Sequence, residues 1–279
     1  MRTHWMLLVA LASSGCFEER NKSIALMNEG VEAGRQKLYD TAVRKLKEAV
    51  QVDQSNNTAW FNLGIVYKDQ KKWSDAANAF NEAVKLENDN ASYHYELAAS
   101  YQEDGKLELA KSEFEKCIQL DNKLYKAHFR LGVVLEKMDK PKDCDAEYRK
   151  AIEMNPRFIP AYIRLGNLYL DHDYDKEAAQ VFQNAVLAND SDGDAHYGLG
   201  LALQKTKQYE AAVTEFKKAR DLQPDLFLAI YNLGMTYKMM DDKPHAKEWL
   251  KKFIESAGSK GSADLMKAAS DALYQLDAP

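Results

Sequence analysis

The sequence predicts an all-α solenoid of seven tandem helix-turn-helix units closed by a C-terminal capping helix. A small residue recurs at an unbroken spacing of 34 residues, as Gly30, Gly64, Ala98, Gly132, Gly166, Gly200 and Gly234. Six of the seven are preceded by leucine, at Leu63, Leu97, Leu131, Leu165, Leu199 and Leu233. The units follow one another from Ser23 to Lys260 without insertion or linker. A fixed period of this length is the signature of a stacked array rather than a single-cored globule, because each hairpin buries its apolar face only against its neighbours.

The N-terminus departs from the repeat. Met1 to His4 is short and basic, and Trp5 to Ala12 is apolar, which reads as a signal peptide over residues 1–15, too short to span a bilayer. Ser13-Ser14-Gly15-Cys16 resembles the lipobox at which bacterial lipoprotein precursors are lipidated and cut, with Ser13 where that family mostly has leucine. The resemblance implies that Cys16 becomes an acylated first residue, carrying palmitate-type chains, and that residues 16–22 form a short tether. The alternative is an ordinary secretory signal with an incidental cysteine, leaving a soluble periplasmic protein. Phe17 stands where aspartate would, by resemblance to enterobacterial lipoproteins, favour the inner membrane, so the expected location is the outer membrane, facing the periplasm. Several acyl chains hold stably because each buried methylene contributes about 0.8 kcal/mol.

The seven units are expected at 23–56, 57–90, 91–124, 125–158, 159–192, 193–226 and 227–260. The second is the clearest. Trp60, Leu63, Gly64 and Tyr67 lie at i, i+3, i+4 and i+7 of a helix A, and Ala76, Phe80 and Ala83 at i, i+4 and i+7 of a helix B, with Lys71 and Lys72 at the turn. Glycine costs about 1 kcal/mol in a helix, so its recurrence predicts a close helix approach in which small packs against large. This order of residues resembles the tetratricopeptide repeat family. The resemblance implies a right-handed superhelical solenoid that binds proteins and is not an enzyme.

Departures from the pattern are local. Glu29 replaces leucine in the first unit, Pro141 lies near the fourth turn, Tyr174 is displaced by one in the fifth, and Phe253 stands where alanine is expected in the seventh. Pro156 and Pro224 close their units. Residues 261–279 then carry Leu265, Ala268, Ala269, Ala272, Leu273 and Leu276 on one helical face, as a cap for the last hairpin.

Composition narrows the function. Thirty-eight Lys and Arg against 43 Asp and Glu give a net charge of -5, dispersed through the helices, which is no nucleic-acid footprint. Cys117 and Cys144 occupy columns otherwise filled mainly by alanine and read as small buried residues. They stand seven residues apart in register, about 10 Å along a helix axis, too far to bridge without backbone movement. His94, His128 and His196 share the column of Trp60 and Tyr162 and read as polar-tipped packing residues rather than metal ligands. Asp190, Asp192 and Asp194 begin like a calcium loop, but Ala195 stands in place of its glycine and Leu201 in place of its glutamate. Asp194 is expected instead to cap the next helix. No nucleophile motif or phosphate loop is present, and no cofactor, metal or small-molecule substrate is expected.

A second stripe lies roughly 140 degrees around helix A from the packing face. It holds Met27, Phe61, Tyr95, Phe129, Ile163, Tyr197 and Tyr231, flanked by Val31, Ile65, Ala99, Val133, Asn167, Leu201 and Met235. By resemblance to the family these positions line a concave groove, and such a lining suits an apolar or amphipathic peptide segment. The Lys and Asn pattern with which chaperone-binding members clamp a C-terminal carboxylate is absent. Asn28, Asn62 and Asn232, in one column, either bond a peptide backbone at the groove edge or are solvated surface. The competing reading is that the whole stripe packs on neighbouring helices.

Lipobox and repeats together resemble the type IV pilus pilotins, which help secretin subunits reach the outer membrane. The expected function is accordingly a lipid-anchored envelope scaffold with protein partners. The alternative is an adaptor for peptidoglycan hydrolases, or a general periplasmic adaptor of the same repeat family.

Overall fold

The computed structural model describes residues 2–258 and 262–277, with side chains described from Phe17 onward. Among the described residues there are fifteen helices and no strand: α1 (Arg2–Arg35), α2 (Tyr39–Val52), α3 (Asn57–Asp69), α4 (Trp73–Leu86), α5 (Ala91–Glu103), α6 (Leu107–Leu120), α7 (Tyr125–Lys137), α8 (Pro141–Met154), α9 (Ile159–Asp171), α10 (Asp175–Ala188), α11 (Gly193–Lys205), α12 (Tyr209–Leu222), α13 (Phe227–Met239), α14 (Lys243–Ala257) and α15 (Ala263–Asp277). The chain forms an all-α helical-repeat solenoid. It divides into two compact units, residues 1–144 and 145–279. The expected tether at 16–22 lies inside the unbroken α1. The side chain of Cys16 lies outside the described residues, as do residues 259–261 of the expected junction between the last repeat and the cap.

Each A–B turn is closed by the same device. After α3, the Lys72 N–H donates to the Tyr67 carbonyl at 2.9 Å and the Lys71 N–H to that of Lys68 at 2.8 Å, while Lys71 has φ +58°. This is a Schellman cap, which satisfies the helix's last carbonyls by turning one residue left-handed. The left-handed residue recurs as Lys37, Lys71, Gly105, Asp139, Asp173, Lys207 and Asp241. The third hairpin uses glycine, which adopts the conformation without steric cost. B helices end into the next A helix through extended residues, and Pro156 and Pro224 follow two residues after Met154 and Leu222. Pro141 is the first residue of α8, where its missing N–H costs nothing.

The glycine column lies where helices A and B cross. A Cβ on Gly64 would meet the Phe80 ring at 2.6 Å, on Gly166 that of Phe182 at 2.5 Å, and on Gly200 that of Phe216 at 2.6 Å. Phe182 is gripped twice, because a Cβ on Gly198 would stand 2.1 Å from it. In the first unit the core runs through Leu46, Leu63, Phe80 and Leu97. In the second, Phe216, Leu233, Trp249, Leu250 and Phe253 continue into Ala269, Ala272 and Leu276 of α15.

The departures acquire physical reasons. Glu29 is exposed and pairs with Lys45 of α2 at 2.7 Å. In the seventh hairpin both positions carry large side chains. Leu250 fills the phenylalanine column against Gly234, and Phe253, 1% exposed, fills the alanine column. The expectation for Asp194 is corrected: Asp192 caps α11, its carboxylate accepting the Ala195 N–H at 2.9 Å, and Asp194 lies in the first turn of the helix. The helix begins one residue after Asp192, so only that side chain has the reach of an N-cap.

Candidate functional site

The second stripe of the A helices is the candidate site, and helix B supports it. Tyr95 packs edge-on to Phe114 at 5.7 Å between centroids, Tyr197 lies 5.8 Å from Phe216, and Phe61 lies 5.4 Å from Phe80 and stacks on Tyr93 at 4.8 Å. The rings are therefore anchored by the same buried phenyl groups that fill the glycine column. Tyr231 finds its partner one turn further along α14, at Phe253, 5.3 Å away, because Leu250 stands in the usual position. Phe61, Ile65, Tyr95, Phe129, Ile163, Tyr197, Leu201, Tyr231 and Met235 are all half-buried, and Val133 is more deeply buried. The rings of Phe61, Tyr95, Tyr197 and Tyr231 are each held on one side by helix B. The same side chains retain accessible surface.

The asparagine column divides. Asn28 is exposed. Asn62 donates to the Thr58 carbonyl of its own helix at 2.9 Å. Asn232 donates to the Tyr197 hydroxyl at 3.1 Å, joining two successive A helices. Burial pushes the Tyr197 phenol up to about 12, and the Asn232 hydrogen bond opposes that shift. A second tie joins the same helices, where Gln204 Nε2 donates to Thr236 Oγ1 at 2.8 Å. In the first unit, ion pairs do this work: Lys68 to Glu96 at 2.7 Å and Arg130 to Glu103 at 3.4 Å. The sequence reading passed over these side chains. Their signal was opposite charge on neighbouring A-helix columns of consecutive units.

The histidine column is a clasp on the loop between hairpins. The Nε2 of His94 lies 3.1 Å from the Asn88 carbonyl and that of His196 lies 3.1 Å from the Asp190 carbonyl. Trp60 Nε1 donates to Gln54 O at 3.1 Å and Tyr162 OH to Pro156 O at 3.2 Å, the same six-residue reach back. Each histidine also places Nδ1 2.6 Å from a carboxylate, Glu113 for His94 and Glu215 for His196. Each of these rings is therefore held at both nitrogens. Both rings are 3% exposed and directed into the fold.

Cys117 and Cys144 are both fully buried. Burial raises the Cys117 thiol to about 12, which keeps it protonated and a poor nucleophile. Among the described residues no three of His, Cys, Asp and Glu gather as a metal site, and no helix is long and apolar enough to cross a membrane.

Stacked hairpins with interlocked glycine and phenyl columns, and an accessible second stripe, define a helical-repeat interaction scaffold. The chain belongs to the tetratricopeptide repeat family. Models of that repeat match residues 66–105, 163–226, and 91–124, 125–158 and 228–260. Among solved structures, MamA is 24% identical, with 61% of this chain and 92% of that chain covered and a TM-score of 0.59. YrrB, described as a TPR protein with an unusual peptide-binding site, is 22% identical over 67% of this chain and 96% of that chain, with a TM-score of 0.55. Pseudomonas aeruginosa pilF is 15% identical over 81% of this chain and 99% of that chain, with a TM-score of 0.59. At these identities the likeness is one of fold. No curated protein matches the chain.

Proposed function

We propose that this protein is a non-enzymatic scaffold, lipid-anchored at the periplasmic face of a bacterial outer membrane, that holds peptide segments along its A-helix stripe and assists assembly of an envelope complex. The observation that carries the binding role is the row of rings fixed on one edge by helix B phenyl groups and accessible on the other. Pre-set rings bind with little further loss of conformational freedom. YrrB, a neighbour in fold described as having a peptide-binding site, supports the same reading. The anchoring role rests on the lipobox-like sequence ending at Cys16, and the pilotin-like role on the joint presence of that motif and the repeats.

Crosslinking in the native envelope followed by purification tests the partner class. Recovery of secretin subunits supports pilotin-like assembly, and recovery of murein hydrolases replaces it with the adaptor role. Cys16→Ala is expected to release folded protein from the membrane fraction, and continued sedimentation with outer membranes rejects the anchor. Phe129→Asp with Tyr197→Asp is expected to abolish partner capture at unchanged circular dichroism. Loss of helicity instead assigns the stripe to packing.

A further inference from the structure

The stripe is uneven along its length, and in the first unit the unevenness makes a pocket. The column flanking the rings holds Val31, Ile65, Ala99 and Val133, so Ala99 is its smallest member there. Beside it opens a cleft of about 470 Å³ whose apolar lining is Tyr95, Ala99 and Trp73. That volume falls within the range of roughly 300–1,000 Å³ typical of ligand pockets. The lining is firm at Tyr95, because that ring is held edge-on by the fully buried Phe114. The walls are charged, but most of that charge is internally matched: Lys68 pairs with Glu96 and Arg130 with Glu103. Lys126 is the remaining cation. It is exposed, lies 6.0 Å above the Tyr125 ring, and among the described residues has no carboxylate within ion-pair distance.

We propose that this cleft is the anchor pocket of the first unit, taking one bulky apolar or aromatic side chain of a bound peptide that carries an aspartate or glutamate beside it. The inference rests on the peptide-binding reading above and adds the chemistry of the segment held. The small side chain of Ala99 provides the depth, Tyr95 and Trp73 the apolar lining, and Lys126 the single unmatched charge that selects an acidic neighbour. Aligned charge at a wall chooses between partners more than it adds affinity.

Fluorescence anisotropy with the detergent-solubilised full chain tests this, using four labelled Gly/Ser peptides with Trp or Ala at the centre and Glu or Lys on either side. The Trp peptide flanked by Glu is expected to bind about tenfold or more tighter than its Ala counterpart. Ala99→Ile, which installs the residue found at Ile65, is expected to remove about that tenfold preference, and Lys126→Glu to shift it towards the Lys-flanked peptide. Ala99→Val, matching Val133, gives the same direction with a smaller loss if the isoleucine variant loses helicity. Equal binding of Trp and Ala peptides, or wild-type affinity in both Ala99 variants, overturns the pocket. Binding that ignores Ala99 and Lys126 but is lost in Tyr197→Asp overturns the pocket and leaves the groove reading intact. Binding of none of the four peptides, where the crosslinked envelope partner is still captured, overturns the pocket alone; failure of both overturns the pocket and the groove together.

Discussion

The ring of Phe80 occupies the space that a side chain on Gly64 would fill, with Cδ1 and Cε1 2.6 Å from the position of a Cβ. The relationship recurs wherever the period places glycine on helix A and phenylalanine on helix B. It explains why a residue that weakens helices is kept in them.

Gly64→Ala is expected to lower stability by about 1–2 kcal/mol. Overpacking costs about 1–3 kcal/mol, against a gain of up to about 1 kcal/mol in helix propensity. Gly105→Ala is the control for backbone alone, since nothing lies within 4 Å of its Cβ position but φ is +76°. It is expected to cost about 1–2 kcal/mol through the left-handed geometry. Urea unfolding monitored by circular dichroism measures both.

His196→Phe is expected to destabilise by about 1–3 kcal/mol, because it strands the Glu215 carboxylate and the Asp190 carbonyl together. The chain itself suggests the compensation. Nineteen residues after His94 and His196 stand Glu113 and Glu215, whereas the same offset from Trp60 and Tyr162 reaches Ala79 and Val181. His196→Tyr combined with Glu215→Val should therefore recover most of the loss, which a double-mutant cycle reads directly. No recovery would mean that the two side chains are not coupled.

Burial lifts Tyr197 from an ordinary 10.0 to about 12. The unfolded chain therefore gives up this proton first, so the stability it carries is whole below about pH 10 and falls as pH climbs towards 12. Tyr197→Phe should flatten that alkaline loss. It should also cost about 1 kcal/mol at neutral pH, through the missing acceptor for Asn232. Denaturant titrations across the alkaline range distinguish this from a variant that is merely weaker at every pH.

Truncation before Ala263 uncovers the apolar surface that Ala269, Ala272 and Leu276 bury beside Phe253 and Trp249. Aggregation is the expected outcome, measured by size-exclusion chromatography with light scattering. A monodisperse truncated chain would show that α15 is dispensable as a cap.

Much of the fold was legible from the 34-residue period alone, because interlocking of small and large side chains repeats with the chain. The hairpins, the turn at Lys71 and the buried place of Cys117 all follow from that column logic. Asp194 did not, because an N-cap depends on where the first helical residue falls, and a one-residue shift gives the role to Asp192. The ties of Asn232 to Tyr197 and of Lys68 to Glu96 were also hidden. They join residues 35 and 28 positions apart, not one whole period, and so depend on how adjacent A helices are offset.

By itself the sequence determined the class of protein and the pairing of helices, because each is a property of one repeat and its copies. Tertiary structure decided how much of the second A-helix stripe remains available. Tyr95, Tyr197 and Tyr231 each have one edge taken up by a helix B phenyl group, Asn232 is engaged by Tyr197, and the cleft beside Ala99 is walled by the matched pairs of Lys68 with Glu96 and Arg130 with Glu103. Accessibility depends on which side chains the packed helices bring together, and no single repeat specifies that.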